Sequence, residues 1–174
     1  MSLQAPLASP TTIATGPRAE ALAARLEAGA RALAAFAGTL TPAQWRQRVP
    51  HDGRPVGVVV HHVAAVYPVE IQLATTVAAG RPVEGVTMAD VHAMNAAHAA
   101  SHADVTVAGA VAALHDASAA AAAAIRAIPD AALDHAASVS LYGGAPLTCQ
   151  FVLEDHAVRH SYHHLALLRA AVGA

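Results

Sequence analysis

Apolar residues recur three and four positions apart through most of this chain, and the runs are punctuated by proline and glycine, a pattern that restricts it to a set of packed helices. "RAEALAARLEAGARALAAFAGTL" predicts a first helix over residues 18–38, ending at Gly38. "TPAQW" follows, where Thr41 with Gln44 forms a capping box and Pro42 sits where a helix start tolerates it, so a short helical turn begins there. "VPHDGRP" reads as a loop, and helical spacing resumes from Pro55 to about Ala79, with Pro68 removing one backbone bond. "GRPVEG" breaks the chain at 80–85. Thr87 with Asp90 opens a helix to about Ala103, and another spans 107–128 before Pro129. Residues 130–146 read as irregular, with "YGG" as a turn and a short extended piece near 139–141. A last helix covers 147–172. These elements predict an all-α fold, a four-helix bundle with short loops, as one domain over residues 18–174 behind a loose arm, 1–17.

Composition narrows the function. The single cysteine, Cys149, excludes an internal disulfide and a cysteine-based zinc cluster. All ten cationic residues are arginine, which removes Schiff-base chemistry on an internal lysine. A net charge of −2 without a basic block, together with few aromatic residues, argues against nucleic acid as a partner. The long apolar tracts are interrupted by His, Asp, Arg or Pro, and the first residues lack the basic start and apolar core of a secretion signal. The expectation is a protein off the membrane, in the cytoplasm. What stands out is histidine, with twelve in the chain.

Projected at about 100° per residue, His156, His160, His163 and His164 share one arc of the last helix with Leu153 and Leu167, so all four are expected to face inward. In "VVVHHVAAV", Val58, Val59, Val66, Val69 and Leu73 line up with His62, which makes it the buried member of its pair with His61. Buried imidazoles need partners for their ring nitrogens, and a shared cation supplies them at once. The plainer reading is of core histidines bonded to one another, to backbone or to water. Two rings four residues apart plus a third inward ring, in a chain without structural cysteines, favour a metal.

"LTPAQW", "RPVGVVVHHVAAV", "VHAMNAAHA" and above all "EDHAVRHSYHHLALL" give a sequence that resembles the DinB/YfiT-like superfamily of small helical metalloproteins, from about residue 18 onward. The resemblance implies a four-helix bundle, often a homodimer, with one divalent ion, nickel or zinc. It implies that His62, from the second long helix, and His160 and His164, from the H-x3-H pattern of the last, hold that ion; the face argument selects the same three. It also implies thiol-dependent chemistry on small molecules, such as transfer to or from a low-molecular-weight thiol. The chain departs from the family pattern near Leu167, where a glutamine is expected after the last histidine.

Three neutral imidazoles leave a coordination position open to a thiolate, water or substrate oxygen. With the thiol chemistry that the resemblance implies, the leading expectation is a metal-dependent enzyme, a thiol transferase. The alternatives are a metal-dependent hydrolase and a metal-binding or stress-related binding protein without a reaction. His156 and His163 are candidates for positioning or proton transfer, or for pocket wall. His98 and His102, sharing a face with Asn95, are pocket candidates or a rival metal pair lacking a third ligand. His61, His92, His115 and His135 are read as surface or satisfied histidines. Glu154 is a poor direct ligand and a candidate partner to one. Cys149 is read as a small core residue, Trp45 as core, and Arg46, Arg48 and Arg54 as solvated or as contacts for an anionic substrate.

Overall fold

The computed structural model describes residues 16–174. The predicted arm thus lies outside the described residues up to residue 15, and Pro17 already opens the first helix, α1 (Pro17–Ala37). A carboxylate from far along the chain caps that start: Asp130 accepts from the backbone N–H groups of Arg18 and Ala19, each at 3.0 Å. Gly16 is required beside it, because a Cβ there would lie 2.2 Å from Asp130 Oδ1.

The short α2 (Pro42–Arg46) begins with the Thr41–Gln44 capping box. Trp45, buried as expected, seats its indole on Gly57 of α3 (Val56–Ala78) and donates its N–H to the Val105 carbonyl at 2.8 Å. Helix α3 runs through Pro68. Helix α4 (Met88–Ser101) opens on a second capping box, Thr87 with Asp90, and α5 (Val107–Arg126) on Thr106, which accepts from Gly109 N–H.

The segment after α5 is more ordered than expected. A 3-10 turn (Asp130–Asp134) leads into β1 (Ala136–Val139), a second 3-10 turn (Ser140–Tyr142) and β2 (Ala145–Thr148). The strands pair antiparallel, Ala136 opposite Thr148 and Val139 opposite Ala145. Gly143 and Gly144 reverse the chain with φ of +66° and +79°, a conformation that suits glycine. Local alternation over four residues is too short to have announced this hairpin. Its β1 also pairs with Val83 of the α3–α4 connection.

The C-terminal helix is continuous but not uniform: α6 (Cys149–Val152), a π-helical segment (Leu153–Val158) and α7 (Arg159–Val172). Helix α3 packs on α5, α5 on α1, α1 on α7, and the C-terminal helix on α3, closing a four-helix bundle. Its core holds Leu26, Leu33, Tyr67, Leu114, Ile125 and Leu168. Buried alanines such as Ala23, Ala30, Ala110 and Ala122 let α1 and α5 approach closely. Helix α4 stands outside these four; it rests on α3 and has no buried residue. Contrary to the sequence expectation, α3 and α5 are each long and apolar enough to cross a membrane by length and composition. In the bundle they pack against one another, and α3 carries His61, His62 and Glu70.

Candidate metal centre

The π-helical segment decides which way the histidines point. A π turn takes about one more residue than an α turn, so it delays the helix by roughly one residue's rotation, about 100°. A uniform projection joins Leu153 to His160 and centres the core stripe between them. In the structure the buried residues of α7 are Ser161, His164, Leu165 and Leu168, a stripe centred farther round. His164 falls within it and His160 at its edge. His163 faces solvent and Leu167 is 39% exposed, so the expectation that both look inward is corrected.

His62, buried on α3, meets His160 and His164 on α7. One ring nitrogen from each of the three lies within 4.8 Å of the others. The His62 centroid is 5.3 Å from that of His160 and 5.5 Å from that of His164, and the last two rings are 4.7 Å apart. Each ring also carries a buried nitrogen with no hydrogen-bond partner: His62 Nδ1, His160 Nε2 and His164 Nδ1. Burial, reinforced by Arg54 and by the neighbouring rings, pushes His62 down to about 3, and burial with the neighbouring rings pushes His164 to about 2, so both are neutral and able to ligate.

Glu70, eight positions beyond His62 on α3, completes the arrangement. Its Oε1 accepts from His160 Nδ1–H at 2.6 Å, which leaves the Nε2 lone pair of His160 free. This carboxylate was missed at the sequence level; its only signal is that it is the sole acid on α3. Glu154, the carboxylate singled out instead, pairs with Arg25 at 2.8 Å on the surface. Three imidazoles, one of them backed by a carboxylate, are a donor set that suits a divalent transition ion.

A pocket of about 300 Å³ opens beside the triad between α3, α4 and the hairpin. Its lining is mostly apolar, including Val66, Leu73, Met88 and Met94, and His62, His160, Glu70 and Asn95 supply polar groups. Val69, expected in the core with His62, is 51% exposed at its rim. His156 lines the same pocket: its Nε2 lies 3.0 Å from the Tyr142 hydroxyl, which donates to Asp155 at 2.5 Å. Burial lowers the His156 pKa and raises that of Tyr142 to about 12. Arg54 is fixed by Asp52 through two contacts of 2.7 Å and keeps a buried Nη1 without a partner. Arg48, by contrast, is exposed and donates to the Gly53 carbonyl.

The other candidates separate cleanly. Cys149 is buried and its thiol is pushed up to about 11, the signature of a core residue. His92, His115 and His135 are exposed, the last bonded to the Ala78 carbonyl. His61 is not a bystander: it stands against His98 and His102, and the three form a second group whose ligand atoms lie within 4.8 Å of one another. A separate cleft of about 330 Å³ at Trp45 and Val105 contains no histidine.

None of the curated proteins compared matches the chain. Among solved structures, YfiT from Bacillus subtilis, described as a probable metal-dependent hydrolase with an unusual four-helix bundle topology, is similar at a TM-score of 0.69 and 18% identity. The match covers 95% of this chain and 94% of that one, a likeness in fold. The family model of the DinB superfamily matches residues 25–168, a span that takes in most of the bundle and all six clustered histidines. The chain belongs to the DinB superfamily.

Proposed function

We propose that this protein is a metal-dependent enzyme in which His62, His160 and His164 hold one divalent ion, zinc or nickel, and that its reaction is thiol-dependent group transfer to a small electrophilic substrate. The observation that carries the reading is the convergence of three half-buried or buried imidazoles within 4.8 Å, with Glu70 behind His160. When bound there, a divalent ion supplies an acid with an open position, which lowers the pKa of a thiol or water presented to it.

The chain's own residues would do the rest. Val66, Leu73, Met88 and Met94 exclude water and take the apolar part of a substrate. His156, held neutral by burial and bonded to Tyr142, is placed to accept or return a proton at the pocket wall. Arg54, which lines a neighbouring cleft that shares Asn95 with the pocket, would supply positive charge toward an anionic group of substrate or thiol. The thiol itself follows from the family resemblance rather than from a residue of the pocket.

A second reading, hydrolysis, is favoured by Glu70 Oε2, which is buried without a partner on a residue lining the pocket and would take a proton from water. Elemental analysis of untagged protein, beside His62→Ala, His160→Ala and His164→Ala, tests the ion: each substitution should abolish binding at this site. Turnover of an electrophile that needs both metal and thiol supports transfer; metal-dependent turnover without thiol supports hydrolysis. Tight binding with no turnover under either condition would leave a binding protein and sink the enzyme reading. A homodimer is part of the proposal, and a monomer mass by light scattering would remove it.

A further inference from the structure

We propose a second divalent-metal site, built by His61 of α3 with His98 and His102 of α4, that fastens α4 to the bundle. It shares no ligand with the first group. His61 Nδ1 and His98 Nε2 lie 2.8 Å apart, a hydrogen bond that need open only to about 3.3 Å for both nitrogens to sit on one tetrahedral ion, and a nitrogen of His102 completes a set within 4.8 Å. Without a cation, the 61–98 pair shares one proton between two nitrogens. With a cation, both nitrogens present lone pairs and the proton moves to the far nitrogen of the ring that gave it up.

His102 is already in a ligating tautomer. Its Nδ1–H donates to the His98 carbonyl at 3.0 Å, the backbone bond that commonly orients a metal-binding imidazole, so Nε2 carries the free lone pair. The three rings stack within 25° of parallel, His102 at 4.1 Å from His61 and 4.5 Å from His98. Imidazole donors without carboxylates select zinc, nickel or copper over magnesium or calcium.

The location gives such a site a consequence. Helix α4 has no buried residue to hold it, yet its Met88, Met94 and Asn95 form one wall of the pocket beside the first site. A cation joining His61 to His98 and His102 would pin that wall from the opposite helix. Occupancy of the second site is therefore read as order in α4.

Zinc titration of chelator-treated protein against a chromophoric competitor counts the sites, and hydrogen exchange of α4 amides reads the second one directly. Wild type should take two equivalents. His102→Ala and, independently, His61→Gln should each retain one, as should His164→Ala, while His102→Ala combined with His164→Ala retains none. The zinc that slows α4 exchange should act in wild type and in His164→Ala but not in His102→Ala. One equivalent in wild type that survives both His102→Ala and His61→Gln overturns the second site and leaves the first standing; loss confined to His164→Ala says the same. If wild type takes one equivalent that survives His164→Ala and is lost in His102→Ala, the first site fails and the second stands.

Discussion

Tyr67 shows how a single bond ties the core to the candidate centre. Its hydroxyl, fully buried and pushed up to about 12 by burial, is bonded to Ser161, which follows His160 on α7. Ser161→Ala should leave that phenol unpartnered and cost about 1–3 kcal/mol. Tyr67→Phe should cost less, because the Ser161 hydroxyl can turn to a carbonyl of its own helix. Urea unfolding of both variants checks the order, and equal losses would contradict it. Glu70→Gln keeps an acceptor for His160 Nδ1–H but removes its charge, so zinc affinity at the first site should fall about 10–100-fold with the fold intact. At this scale the sequence separated His62 from His61 correctly, because five valines and leucines on the same helix defined the stripe of α3. Neither Glu70 nor the partnership of His61 with α4 was legible, since both depend on which helix lies across the way.

The C-terminal helix marks the limit of periodicity at the scale of elements. Its span was readable to within two residues at its start, and the 100° shift carried by Leu153–Val158 was not, because no residue type announces a π turn. That shift is why His163 and Leu167, projected inward on a uniform helix, face out. The capping boxes at Thr41 and Thr87 lay in plain view, as they need only residues three apart. The hairpin of β1 and β2 was half visible through its glycines. The seat of α2 on α3 makes its own prediction. Gly57→Ala would place a Cβ 2.3 Å from Trp45 Cε2, and the indole, held by Val105, has little room to yield. The variant should be destabilised by about 1–3 kcal/mol, read from the thermal midpoint together with the Trp45 fluorescence. Unchanged values in both would show that α2 is free to shift.

Taken whole, the bundle keeps histidines neutral that an unfolded chain would protonate below about pH 6.5. His62 and His164 titrate near 3 and 2 in the folded protein, so between those values and 6.5 the unfolded chain binds the extra protons. Stability of the metal-free protein should therefore be full above 6.5 and fall on acidification, by on the order of 1.4 kcal/mol per pH unit for each ring. Chemical unfolding at pH 7 and pH 5 with a chelator present measures this; identical midpoints would mean that the rings reach water. The all-α bundle was legible because it follows from five periodic runs, whereas the exclusion of α4 from the core was not, since its alanines, methionines and Val91 satisfy the same spacing as a core helix. That exclusion also bears on how the molecule can change over generations. A pocket wall that contributes nothing to the core can accept new side chains at Met88, Val91, Met94 and Asn95 with little loss of foldedness. The bundle is then a fixed chassis and α4 the surface on which new substrate preferences are most readily selected.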